Sequence, residues 1–250
     1  MMLFILPGAF NACQNDPTPQ QKAHAILEKT GVKGGLIVCL GCTDGKLVTA
    51  LHANERYLVQ GLSAHPENVN QARQYLHEQG IYGRVTVELL TNGRLPYIEN
   101  LADLVVIRGS QDVSTDEVMR VLSPGGVVCR LQKGNYHITT KPRPEDTDDW
   151  THFLHGADNN PVSRDARIGP PRQMQWLSDP MWCRNHHTLA SISSVVSTGG
   201  RIFYIADQSP AASIEIPSHW SLIARDAYNG KKLWEKRLPS WANHLRRFRS

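Results

Sequence analysis

Long apolar runs are missing from this chain. No stretch after the first ten residues approaches the roughly 20 apolar residues that a membrane-crossing helix needs. Cysteine is scarce and odd in number, five in 250 residues. Cys39 and Cys42 formally make a C-x-x-C pair, but no second pair completes a zinc knuckle. Cys39 and Cys129 lie inside apolar runs, where a thiol behaves as a small buried hydrophobe. Strong charge of one sign is absent too. The net charge of +4 is mild. Arg246, Arg247 and Arg249 form too short a basic run for a nucleic-acid patch, so no nucleic-acid partner is expected. The dinucleotide fingerprint G-x-G-x-x-G does not occur.

The N-terminus is apolar from Met1 to Phe10 and leads into Ala12-Cys13. It reads as the tail of a secretory signal, with a possible lipid anchor at its end, although no Lys or Arg precedes it. The expectation is a periplasmic or cell-envelope protein, and a cytoplasmic one if this segment is not a signal. Residues 1–20 are accordingly a signal-like segment and linker.

Residues 21–140 alternate between strand and helix patterns. Ala23, Ile26 and Leu27 make the stripe of a helix over 21–30. An apolar run over 35–40 ends in a corner at Gly41, and a helix is expected over 45–53. Strands follow over 57–62, 85–89, 104–107 and 127–131. Helices are expected from Pro66 to Gln79 and over 114–121, the latter entered through a Ser-Thr-Asp-Glu capping sequence. This order predicts an α/β Rossmann-like domain with a parallel sheet, and the sheet is expected to stop after five strands. Residues 141–172 lose the alternation and read as a linker and opening segment. From 173 to 250 the chain is all-β, with strands expected over 173–177, 191–197, 201–206, 221–226 and 232–238. Gly199-Gly200 and Asn229-Gly230 supply hairpin turns.

The run Val38-Cys-Leu-Gly-Cys-Thr-Asp-Gly45 places a glycine loop at the carboxyl end of a buried strand, where ligands sit in such sheets. Leu95-Pro96-Tyr97 precedes Asp103-Leu-Val-Val, and Glu117-Val-Met-Arg-Val-Leu-Ser-Pro-Gly-Gly126 leads into the last strand. Over about residues 33–131 these segments resemble the class I S-adenosylmethionine (SAM) methyltransferases. The resemblance implies a cofactor pocket at Gly41, Cys42, Thr43 and Gly45, with Ser63 at the ribose position and Thr91 at the adenine position. It also exposes departures. The family's middle loop glycine is Thr43, and its acids stand here as Cys39, Ser63 and Thr91. Each lost acid removes a charge-assisted hydrogen bond of about 1.5–3 kcal/mol. SAM binding is therefore expected to be weakened. Asp44 and Lys46 on the loop read as solvated surface charges, and no catalytic residue is assigned.

Ala224, Asp226, Gly230 and Trp234 fit the spacing A-x-D-x-x-x-G-x-x-x-W. The stretch resembles the tryptophan-docking repeat of quinoprotein-type, PQQ-binding-like β-propellers. Asp149-Trp150-Thr-His152-Phe-Leu-His155 through Asn160 resembles the opening segment of such propellers, and Trp176, Trp182, Trp220, Trp234 and Trp241 fit their packing. About one blade is expected over 173–250. PQQ, which needs a closed ring, is not supported by one blade. Propellers need roughly 4–8 blades, so the chain reads as the front end of a longer protein. The blade is expected to stand free, with Ile202–Ile205 and Leu222–Ile223 on its edges. His152/His155 and His186/His187 lack convincing ligand spacing, and no metal site is assigned. Three readings follow. The first is an exported methyltransferase-like domain with a degenerate SAM site, fused to a propeller that binds or scaffolds an unknown protein or small molecule. The second is an active SAM-dependent methyltransferase whose propeller selects substrate. The third is a truncated quinoprotein dehydrogenase.

Overall fold

Strands β1 (Gly35–Leu40), β2 (Tyr57–Ser63), β3 (Val85–Leu89), β4 (Ala102–Arg108), β5 (Leu122–Gln132) and β6 (Asn135–Thr140) form one sheet in the order β3-β2-β1-β4-β5-β6. This computed structural model describes residues 16–109, 111–167, 169, 174–179, 191–210, 212, 216–239 and 241. The signal-like residues 1–15, Trp182, His186, His187 and the basic cluster at 246–249 lie outside them.

The first five strands pair in parallel and β6 runs antiparallel to β5. The apolar strands earn burial on both faces because side chains alternate along each one. Ile37 and Cys39 of β1 pack with Ile26, Leu47, Val48, Val69 and Leu76, from helices α1 (Pro19–Thr30), α2 (Lys46–Leu51) and α3 (Pro66–Glu78). Leu36, Val38 and Leu40 face the other way, onto Val118 and Val121 of α4 (Thr115–Val121). Helix starts follow local chemistry. Thr18 and Gln21 close a capping box on α1, and Ser114 accepts from the Glu117 amide at the start of α4.

The sheet does not stop after five strands. Lys133 and Gly134 take positive φ values of 47° and 81°, and this turn folds β6 back onto β5. The residues of β6 are mostly exposed, so no apolar pattern marks the strand.

The second sheet is an antiparallel meander of β7 (Ile192–Thr198), β8 (Arg201–Asp207), β9 (Trp220–Asp226) and β10 (Lys232–Arg237). Gly199 and Gly200, both at positive φ, make the two-residue turn between β7 and β8. The Asp226 carboxylate accepts from the Tyr228 and Asn229 amides and shapes the turn into β10. Two expectations need correcting. Residues 174–177 carry no strand; Trp176 instead donates its indole N–H to Ala227 O and packs over Gly230. The segments Ile202–Ile205 and Leu222–Ile223 are not on edges, because β8 and β9 are the inner strands.

Nor does the second sheet stand free. Its β9–β10 turn sits on the amino ends of the α/β strands. Asn229 Nδ2 donates to Asp103 Oδ2 at 2.6 Å and to Leu101 O at 3.1 Å. Asp103 Oδ2 also accepts from the Leu36 amide at 2.8 Å. The Asp103 carboxyl is hydrogen-bonded to that of Asp226, and burial, then this neighbour, raise it well above the ordinary carboxylate range. Gly35 takes φ +99° beside this group, and a Cβ there would fall 1.9 Å from Asp103 Oδ2. The opening segment adds a further tie. Asp149 accepts from Thr198 Oγ1 and the Gly199 amide, and Trp150 O from the Ser197 amide.

Candidate functional site

In this strand order the chain reverses direction across the sheet between β1 and β4. The carboxyl ends of those two strands therefore open a crevice. A cavity of about 860 Å³ lies there. Its walls come from the β1–α2 loop (Gly41, Cys42, Thr43), the end of β2 (Ser63, Ala64, His65), the segment after β4 (Arg108, Gln111, Asp112), the β5–β6 hairpin (Lys133, Tyr136) and Lys22 of α1.

Gly41 turns the chain at φ +78°, and a Cβ there would lie 2.6 Å from Arg108 O and from Gln111 Nε2. The loop glycine is thus covered by the Gln111 amide, which donates to Arg108 O at 2.7 Å. Cys42 packs inward against Gly61 and Val48. Burial pushes its thiol up to about 11 and that of Cys39 up to about 12, while the Arg108 guanidinium pulls both the other way. Both thiols stay neutral and put no negative charge on the cleft. Ser63 is buried, and its hydroxyl accepts from the His65 amide at 3.3 Å and from Asn68 Nδ2 at 3.5 Å.

Gly41, Cys42, Thr43 and Ser63 therefore line one cavity. Gly45 sits behind it as the N-cap of α2, packed on Ala72. Thr91 lines a neighbouring cavity of about 560 Å³ with Asn92, Arg94 and Tyr97. The cleft also holds residues that the sequence reading did not assign, chiefly Arg108, Gln111, Asp112 and Lys133. Arg108 carried a usable signal: it ends the apolar run Leu104–Ile107, so it stands at a strand's carboxyl end. Its Nη1 donates to Thr43 Oγ1 at 3.5 Å across the loop. Among the described residues Arg108, Lys22 and Lys133 make no ion pair.

His152 and His155 are both engaged by neighbouring side chains. His155 Nε2 lies 2.7 Å from Asp148 Oδ2, and His152 Nδ1 lies 2.9 Å from Thr151 Oγ1. Among the described residues no cluster of His, Cys, Asp or Glu could hold a metal ion. No helix among them is long and apolar enough to cross a membrane. A further cavity of about 460 Å³ lies between the two sheets, at the amino ends of the α/β strands and away from the cleft.

Residues 38–129 match the family described as "Methyltransferase domain". Solved structures similar to this chain include a proposed S-adenosyl-L-methionine-dependent methyltransferase from Methanococcus maripaludis, at 26% identity and TM-score 0.43, over 47% of this chain and 57% of that one. Geranyl diphosphate C-methyltransferase from Streptomyces coelicolor A3(2), bound to S-adenosyl-L-homocysteine, is 18% identical with TM-score 0.40, over 44% of this chain and 43% of that one. The YcgJ protein from Bacillus subtilis is 20% identical with TM-score 0.38, over 43% of this chain and 48% of that one. The alignments thus span about half the length of these structures. No curated protein matches the chain. Across residues 38–129 the α/β unit is methyltransferase-like.

Proposed function

We propose that the α/β unit is a methyltransferase-like binding domain that holds SAM weakly, and that the antiparallel sheet is one blade of a quinoprotein-type propeller with a binding or scaffolding role in the cell envelope. One observation carries the first part. Ser63, on the cleft at the end of β2, presents a hydroxyl already engaged by its own loop, where a ribose-binding acid would be needed. Cys39 and Thr91 offer no carboxylate at the other two positions. The residues present do not fit SAM well. Loss of two acids weakens binding by about a hundredfold or more.

The apolar segment Met1–Phe10 supports export, and an exported domain would have little use for a cytosolic cofactor. The four-stranded meander and the A-x-D-x-x-x-G-x-x-x-W spacing support the blade. The propeller's ligand would be a protein or a small molecule.

One observation favours an active SAM-dependent methyltransferase instead. Asp112 lines the cleft and could supply a replacement acid. Against a blade that selects substrate, the β9–β10 turn docks at the opposite ends of the strands. Isothermal titration of the full chain with SAM tests the proposal. Weak or absent binding is expected, and micromolar affinity would sink it.

A further inference from the structure

We propose that the cleft at the carboxyl ends of β1 and β4 takes a small molecule bearing a phosphate group, with Arg108 as its main contact and Lys22 and Lys133 flanking it. The inference deepens the reading above, that this cleft holds SAM only weakly, and names a class of ligand that suits it better.

Arg108 is placed by rigid structure. It follows four buried residues of β4, Leu104–Ile107, next to the central strand β1. A guanidinium has five N–H donors in a fixed fork. Here one of them makes a long bond of 3.5 Å to Thr43 Oγ1, and no carboxylate among the described residues pairs with the group. Lys22 reaches the same cavity from α1 and Lys133 from the β5–β6 hairpin, both likewise without an ion pair. These three cations border one cavity with no ion-pair partner among the described residues, so an anion entering it would be attracted by all of them. The Arg fork matches phosphate oxygens, and a phosphate's charge suits more than one cation.

The opposing charges are few. His65 lies 3.6 Å from Glu67 and is exposed. Asp16 is exposed at the rim. Asp112 is also exposed and lies against the β3–β4 connection, where a Cβ on Gly93 would be 4.0 Å from its Oδ2. The volume of about 860 Å³ leaves room for an organic remainder, and Leu131 and Tyr136 give it an apolar wall.

The probe is inorganic pyrophosphate, titrated calorimetrically into the full chain at low ionic strength, with SAM titrated in parallel. Saturable binding is expected. Arg108→Met should weaken it by about tenfold or more, the loss of one charge-assisted contact. Lys133→Met, on an exposed hairpin that tolerates change, should weaken it several-fold. Lys236→Met, on β10 of the other sheet, should leave it unchanged. Absence of saturable binding, wild-type affinity in both Arg108→Met and Lys133→Met, or an equal loss in Lys236→Met would overturn the inference. Micromolar SAM binding would instead overturn the reading on which it rests. Weak SAM binding with no pyrophosphate binding would overturn the inference alone.

Discussion

Glu117 shows how one carboxylate can tie a connector to a helix. Its Oε1 accepts from the Leu95 amide at 2.8 Å, and Arg120 donates to both of its oxygens at 2.8 Å. These bonds, with those from Arg120 foremost, hold its carboxyl at about 2 instead of 4.5. An acid depressed in the folded state stabilises the protein above its unfolded value and loses that contribution as pH falls through its folded value. The stabilisation from Glu117 is thus present above pH 4.5 and fades toward pH 2. Glu117→Gln should cost about 1–3 kcal/mol near neutral pH. The deficit should shrink on acidification in urea-denaturation series, and a deficit of the same size at low pH would contradict this assignment.

At the scale of elements, Lys141 closes the C-terminal end of α4. Its Nζ donates to Met119 O and Leu122 O, each at 2.7 Å, and to Asn100 Oδ1 at 2.8 Å, which uses all three of its donors. Burial lowers its pKa. Lys141→Met keeps the aliphatic stem but orphans these acceptors, and should destabilise by about 1–3 kcal/mol in chemical denaturation. No measurable change would mean that water replaces the ammonium freely. Elements that bury a stripe or a full apolar run were legible in the sequence: α3 with Val69, Ala72 and Leu76, and β1 with six buried residues. Strand β6 was not, because Asn135–Thr140 gains its place from the Lys133-Gly134 turn and not from burial. Residues 173–177 misled for the converse reason. Trp176 looks like a strand residue, yet its burial is spent on the β9–β10 turn. The cleft divides in the same way. Gly41–Thr43 and Ser63 follow from knowing where strands end, whereas Lys133 and Tyr136 reach the cavity through the hairpin that the pattern hid.

At the scale of the whole molecule, the two sheets meet through a buried carboxyl pair. Asp103 is raised well above 3.8 by burial first and then by Asp226. A raised acid favours the folded state while it keeps its proton. That contribution is fully present below pH 3.8 and is lost as pH rises through the folded value. The docked arrangement should therefore weaken with rising pH. Asp103→Asn can still accept from Leu36 N and Asn229 and can donate to Asp226 without titrating. It should flatten the pH dependence of the urea midpoint between mildly acid and alkaline conditions, and a wild-type midpoint that rises with pH would refute this. The sequence alone suggested a blade that stands free; Asn229, which donates to Leu101 O and Asp103, and Gln175, which donates to both Asn100 O and Tyr228 O, fasten the antiparallel sheet to the α/β unit across long sequence separations. At the other end of the strands stands the proposal that an α/β unit with a methyltransferase-like fold has lost the acids that would hold SAM. Its most direct test is SAM affinity by isothermal titration of the wild-type chain beside Ser63→Asp, which returns one acid to the end of β2. The account predicts weak binding by the wild type and an increase of about tenfold in Ser63→Asp. Micromolar binding by the wild type, with no gain from the new carboxylate, would contradict it.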